Sequence, residues 1–365
     1  MVRDIKINVR QFTVLVILYS VGTAVLIIPS TLAEIVKQDA WIAAALGVGL
    51  GMLLVLLYNA VGNIYPEKTL VEKNEKLLGR WLGKAVSITF VFFAFITAAD
   101  LLYYMADFIT TQIMADTPAQ AIHILFACVV IMGVRLGLEN LARTAEFFFP
   151  WFVLLFIILV IFISPQIDYH NIQPVFDNGI KPMIRSTLIF TSIFSLSPVI
   201  LLMIFPVSVN QPKKAQKAFL IGTFIGGVIL IIIIALAVLV LGPDTTGRHM
   251  YPSFALAKKI NTGNFIRIEA IMAGLWFVTI FFRTSLYFYA AVIGLAQTLN
   301  LKDYRSLTLP LGMIMVVFSL ILHPNVLHGS DFNKGAWIPY VSTYGLILPL
   351  ILLGVHAFRK QFQKN

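Results

Sequence analysis

Ten times along this chain an apolar run of about twenty residues recurs, each long enough to cross the hydrocarbon core of a bilayer as a helix. The runs are continuous and rich in Leu, Ile and Phe, without the short alternating segments of a barrel. In lipid a helix satisfies its own backbone hydrogen bonds, so helices are what these runs must become. Only 12% of the 365 residues are charged, against about 25% in a soluble domain. The surface therefore faces something other than water, and the expected fold is an all-α membrane protein in one transmembrane domain.

The spans read as Gln11–Glu34, Trp41–Val61, Ala85–Thr111, Pro118–Val134 and Phe147–Ile163 in a first half. Ser186–Val207, Phe219–Leu241, Ile268–Leu295, Leu307–Leu322 and Trp337–Phe358 make a second. Two five-helix halves, 1–163 and 183–358, follow from this count. The net charge of +10 is explained by sidedness, since cytoplasmic loops are enriched in Lys and Arg. With the N-terminus inside, eighteen of the 27 basic residues fall on the cytoplasmic side and eight outside, leaving Arg283 alone within a span. Both termini are then cytoplasmic. No basic segment carries a nucleic-acid reading motif, so no nucleic-acid partner is expected. The first run is too long for a cleavable signal peptide. Leu70–Leu82 mixes apolar and charged residues as a helix on the inner surface would, and Tyr251–Ile260 reads as a short outer helix.

Two spans carry interruptions. The first reads ILYSVGTAVLIIPS, with Gly22 and Thr23 near its middle. The sixth reads FTSIFSLSPVILLMIFP, with Ser195, Ser197 and Pro198 mid-span. Proline removes a donor and clashes with the preceding turn, and glycine eases unwinding. These are the first spans of the two halves, and paired interruptions at corresponding positions point to a substrate site at the membrane midplane. The blander reading is that Gly and Pro are common in membrane helices and that Gly22 is a packing contact.

Charge within the membrane supplies a second signal. Thr97, Asp100, Tyr103, Tyr104 and Asp107 share one face of the third span. Trp276, Thr279, Arg283 and Tyr287 share one face of the eighth, with Thr284 beside it. A charge at mid-bilayer costs about 2.5–3.5 kcal/mol on insertion scales, so such residues face a cavity or a partner. Asp100 and Arg283 are expected to face each other across a central cavity, directly or through water, either gripping a ligand or forming an ion pair that fixes the bundle. Asp107, Glu34 and His123 are expected near the outer surface, His123 and Glu34 in contact with water. The six histidines and one cysteine show no metal spacing, and no Walker, GxSxG or paired-carboxylate signature occurs. No cofactor and no enzymatic activity are expected.

The segments YSVGTAVLIIPSTL, NIQPVFDNGIKPMIRST, WFVTIFFRTSLYFYAAVIGLAQTLNL and LILHPN, with the ten spans, resemble the B subunits of endospore germinant receptors. That family lies in the amino acid–polyamine–organocation superfamily. The resemblance implies a five-plus-five inverted repeat with broken first and sixth helices. It implies a location in the spore inner membrane, partnership with an A subunit and a lipoprotein C subunit, and recognition of a small nutrient such as an amino acid or sugar. It maps the pocket onto Gly22, Thr23, Thr97, Asp100, Tyr104, Ser195, Ser197, Pro198, Arg283, Thr284 and Tyr287. An active transporter of amino acids driven by protons or sodium is the rival reading, and a ligand-free membrane scaffold a third.

Overall fold

The computed structural model describes residues 6–259 and 268–362. Arg3, Arg267 and Lys364, used in the charge count, lie outside the described residues, as does Ile260 at the end of the short outer helix. Sixteen α-helices are formed among the described residues. The first span is two helices, α1 (Val9–Val21) and α2 (Ala24–Val36). Then come α3 (Ala40–Asn63), α4 (Leu70–Leu78), α5 (Arg80–Gln112), α6 (Ala119–Leu136) and α7 (Leu138–Ile163). The sixth span begins as α8 (Ile180–Phe190), passes through a π turn at Thr191–Ser195 and continues as a 3-10 segment, Ser197–Met203. α9 (Pro212–Leu241), the short α10 (Pro243–Arg248) and α11 (Pro252–Lys259), α12 (Ile268–Thr298), α13 (Arg305–Ile321) and α14 (Val326–Lys334) follow. The last span is α15 (Trp337–Ser342), a π turn at Thr343–Ile347, and α16 (Leu348–Phe362).

Among the described residues, eight helical segments are long and apolar enough to cross a membrane. One of them, Ala24–Asn63, holds both α2 and α3, separated by a single 3-10 turn at Lys37–Asp39. Splitting it there, joining α1 to α2 and adding the apolar 17-residue α13 gives the ten spans read from the sequence. Their outward side chains are apolar: Leu53, Met132, Phe147, Ile161 and Ile321 are all exposed. Lipid rewards that surface and water does not. The interior mixes apolar packing with buried Ser20, Thr97, Asp100, Ser195 and Arg283.

Polar contacts gather at two opposite faces. On one, Ile7 donates to Ser208 and accepts from Asn210, Arg10 meets Glu146 at 3.2 Å, Gln216 meets Asn63 at 2.7 Å, and Arg359 donates to the Lys76 carbonyl. Both ends of the described chain are on this face. On the other, Glu34 pairs with Lys334, Lys37 with Asp244, Asp39 accepts from the Phe176 N–H, and Asp107 accepts from the Tyr251 hydroxyl.

Local chemistry explains the ends. Asn8 and Gln11 form a reciprocal capping box at the start of α1, as Thr69 and Glu72 do for α4. The α4 helix is not a ribbon lying on the surface: Leu70, Lys73, Asn74 and Leu77 are buried under the bundle. Lys73 Nζ donates to the Val61 and Gly62 carbonyls at 3.1 and 2.9 Å, satisfying two of the acceptors that the end of α3 leaves open. Small residues bring α9 against α1, where a β-carbon at Gly222 would lie 2.8 Å from Val16.

Candidate functional site

The two breaks meet at the centre of the bundle. α1 ends at Gly22, whose φ of +31° is strained for any residue with a side chain. Helix resumes at Ala24. In the sixth span the regular ladder fails at Thr191 and Pro198 sits in the first turn of the 3-10 segment. Failed ladders leave carbonyls without their usual N–H partners, and buried backbone groups must be satisfied somehow.

Side chains take most of them. The Arg283 guanidinium donates to the Ile193 carbonyl at 2.8 Å and to the Tyr19 carbonyl at 3.4 Å, one from each broken span. It also lies over the Tyr19 ring, 5.1 Å from the centroid. Thr279 Oγ1 donates to the Gly22 carbonyl, the Tyr19 hydroxyl to the Ser197 carbonyl at 2.8 Å, and the Tyr58 hydroxyl is shared between the Leu196 and Gly345 carbonyls. The unwound carbonyls are thus held by the protein itself. What the breaks still present is the start of α2, where the first N–H groups of a helix have no intrahelical acceptor and the dipole is positive.

A cavity of about 40 Å³ lies against that helix start. Thr23 and Ala24 form one wall, Thr97, Asp100 and Tyr104 of α5 a second, and Ile193 and Arg283 a third, with Asn333 and Trp337 above. By volume it admits roughly three waters. A second cavity of about 60 Å³ lies toward the face bearing Glu34 and Lys334, lined by Ser30, Thr31, Met250 and Ser330. Ile27, Tyr104 and Asn333 border both, and Asn333 Nδ2 donates to the Tyr104 hydroxyl at 2.7 Å. That hydrogen bond joins two of the three residues shared by the two cavities.

Of the residues marked from the sequence, Thr23, Thr97, Asp100, Tyr104 and Arg283 line the cavity, and Gly22 makes room for Arg283. The others stand behind it. Ser195 Oγ donates to the Gly47 carbonyl at 3.0 Å, Ser197 Oγ to the Ser192 carbonyl at 3.4 Å, and Pro198 starts the 3-10 segment. Thr284 and Tyr287 are fully buried, with the Tyr287 ring 5.7 Å from that of Tyr19.

Asp100 and Arg283 border one cavity without a direct ion pair, so of the arrangements expected of them the direct one is absent, which leaves a ligand or water between them. Asp100 Oδ1 bonds His323 Nε2 at 2.7 Å, while Arg283 is spent on backbone carbonyls. The guanidinium's hydrogen bonds go to two backbone carbonyls, one from each broken span. Contrary to expectation, His123 is not in contact with water: it is buried, with Nδ1 2.7 Å from Ser319 Oγ. The Glu34 side chain is half exposed near the C-terminal end of α2 and carries an ion pair to Lys334. His323, Asn333 and Trp337 were missed, although LILHPN, which ends the ninth span, contains His323.

The comparisons agree with this architecture. A nucleobase-cation-symport-1 family transporter, in a closed conformation with bromovinylhydantoin bound, superposes with TM-score 0.69 at 11% identity, over 95% of this chain and 80% of that one. A substrate-bound, outward-open Na+-coupled sialic acid symporter superposes with TM-score 0.68 at 12% identity, over 98% and 79%. At such identities these show the fold: an inverted-repeat transporter fold. Spore germination protein KB of Bacillus subtilis (strain 168) is 31% identical over 363 residues, 98% of this chain and 96% of that relative. Spore germination protein YndE of the same organism is 25% identical over 98% of both chains. The profile of the spore permease family, described as spore germination protein, matches residues 6–326. With broken first and sixth spans closing on one central cavity and a family profile matched along nearly its whole length, the chain belongs to the spore germination permease family.

Proposed function

We propose that this chain is the nutrient-sensing subunit of a spore germination receptor, binding a small solute at mid-membrane and signalling through partner subunits. The observation that carries this is the cavity between the breaks, where one carboxylate, one guanidinium and the positive start of α2 converge. That set of groups suits a zwitterion: Asp100 for an ammonium, the α2 start for a carboxylate. Thr23, Thr97, Tyr104 and Arg283 would contact the solute, while Gly22, Ser195, Ser197, Pro198, Thr284 and Tyr287 would hold the breaks in shape. A sugar would use the same hydroxyl and amide groups without the charges. The similarity to spore germination proteins favours placement in the spore inner membrane beside an A subunit and a lipoprotein C subunit. The basic excess on the face bearing both ends favours cytoplasmic termini, and the halves 1–163 and 183–358 would be the two repeats.

The rival is a secondary transporter of amino acids driven by protons or sodium, favoured by neighbours such as the Na+-coupled symporter. Arg283 argues for the sensor, because a fixed cation already occupies carbonyls that a mobile coupling cation would use. Thermal unfolding of the purified complex across a panel of amino acids and sugars tests the reading. A solute at a hundred times its Kd should stabilise by about 2.7 kcal/mol. Stabilisation by no panel member, or accumulation of a stabilising solute in sealed proteoliposomes, would count against the sensor.

A further inference from the structure

Beyond the breaks, the molecule holds one continuous chain of titratable groups at membrane depth. Asp100 is 7% exposed and His323 5% exposed. His323 Nε2 lies 2.7 Å from Asp100 Oδ1, and its other ring nitrogen, Nδ1, lies 3.0 Å from Nδ1 of His328. His328 is exposed on the face bearing Glu34 and Lys334, in the first turn of α14, with its backbone N–H held by Asn325 Oδ1 at 2.8 Å. Both separations are hydrogen-bond lengths. A structural need to neutralise or orient Asp100 would be met by His323 alone. The second histidine does something further: it extends the chain to water.

The chemistry of imidazole fixes the polarity. A neutral ring offers one N–H and one lone pair. With Asp100 ionised, His323 donates from Nε2 to the carboxylate, so its Nδ1 must accept, and His328 must donate from its own Nδ1. The lone pair on His328 Nε2 is then the open end. Around this chain stand Tyr103, its ring 5.0 Å from that of His323, and Tyr104, at 6.1 Å. Arg283 borders the cavity from α12. Asp107, two turns further out on α5, is bonded by Tyr251, and Lys334 of α14 by Glu34. His123 is engaged by Ser319, so it is not part of the chain.

We propose that His328, His323 and Asp100 form a proton-binding relay that opens on the outer face and ends in the central cavity. A proton from outer water adds to His328 Nε2. His328 passes its Nδ1 proton to His323 Nδ1, and His323 passes its Nε2 proton to Asp100. One proton is taken up, no bond to carbon changes and nothing is oxidised. Every hydrogen bond survives with its direction reversed: Asp100 now donates to His323 Nε2, and His323 Nδ1–H donates to His328. Because Arg283 stays charged, the uptake changes the cavity from balanced to cationic. Resting on the reading of that cavity as the ligand site, this sets which solutes it accepts: an ammonium group when Asp100 is ionised, an anionic or neutral solute when it is protonated.

The test needs no ligand, so its failure is separate from failure of the ligand-site reading. Infrared difference spectra of the purified full-length protein, stepped between about pH 8 and 5, should show a protonated-carboxyl band that Asp100→Asn removes. Nitrogen-15 histidine spectra should show one ring changing from the Nε2–H to the Nδ1–H tautomer over the same pH range, and His323→Gln should delete that ring. After a pH jump, His328→Gln should slow growth of the band by roughly tenfold or more, about 1.4 kcal/mol in barrier. His328 is exposed, so this variant keeps the fold. No band assignable to Asp100, or wild-type rates in both histidine variants, would overturn the proposal.

Discussion

Arg283 fills the space that Gly22 leaves open. A β-carbon at Gly22 would overlap Arg283 Cδ and lie 2.8 Å from the Tyr19 carbonyl, the same oxygen that accepts from Arg283 Nη1. The break in the first span and the charge in the eighth are therefore one device. The glycine unwinds the helix, and the guanidinium enters the gap and ties off the carbonyls of both broken spans.

Gly22→Ala should disturb this device without unfolding the protein. The added methyl must displace Arg283, and the φ of +31° is unfavourable for alanine. Strain of about 1–3 kcal/mol concentrated at the cavity should raise the nutrient needed for half-maximal germination by roughly tenfold or more. Dose–response curves, with immunoblots showing normal membrane levels, measure it. An unchanged curve would move the ligand away from the breaks.

Removing the guanidinium should cost stability through the backbone, not through Asp100. Arg283→Gln leaves two buried carbonyls without a charged donor, at about 1.5–3 kcal/mol each. Arg283→Lys should recover part of this, since an ammonium lacks the planar fork that reaches both spans. Thermal midpoints of the purified proteins rank the three. Equal midpoints for Gln and wild type would refute the role.

A double-mutant cycle separates the two possible partners of Asp100. Asp100→Asn with His323→Gln should be strongly non-additive, with a coupling of about 0.5–3 kcal/mol, because each single change leaves a buried group unpaired. Asp100→Asn with Arg283→Gln should couple more weakly. The reverse order would point to Arg283 as the partner of Asp100.

Lys73 gives a pH dependence at the face bearing both ends of the described chain. Burial pushes its pKa down from 10.5 to about 7, against the pull of Glu67 and Glu72. Between about pH 7 and 10.5 the unfolded chain then binds the proton and the folded one does not, so stability rises with pH, by at most about 1.4 kcal/mol per unit. The cost of burying the charged form is fully present below pH 7. Lys73→Met should flatten this rise while losing the two bonds to the end of α3. Thermal midpoints at stepped pH decide; a wild-type profile that falls with pH contradicts the assignment.

Sidedness can be read by labelling. Single cysteines at Lys68 and Lys334, with Cys128 replaced by serine, should react with a membrane-impermeant reagent from opposite faces. Reaction of both from one side would overturn the ten-span topology.

Apolar run length and the Lys and Arg bias determined the spans, because a bilayer admits one kind of segment and those signals are local. Gly22 and Pro198 determined the breaks for the same reason: backbone conformation is limited by the residue itself. The face of α5 carrying Thr97, Asp100 and Tyr104 followed from helical spacing. Partners did not follow. Asp100 and Arg283 carry opposite charges at similar depth, and sequence offers no reason to separate them. Their separation depends on which acceptors the packing brings within 3 Å, and that placed the Ile193 carbonyl at Arg283 and an imidazole from 223 residues away at Asp100. His323 ends a span in a motif visible in the sequence. Its reach to Asp100, and His328's reach to it, exist only because α13 packs against α5 and α14 folds back over the end of the bundle that bears Glu34. Hydrogen bonds act over one bond length, whereas periodicity fixes only the face a residue occupies, so the elements belonged to the sequence and the wiring between them to the tertiary structure.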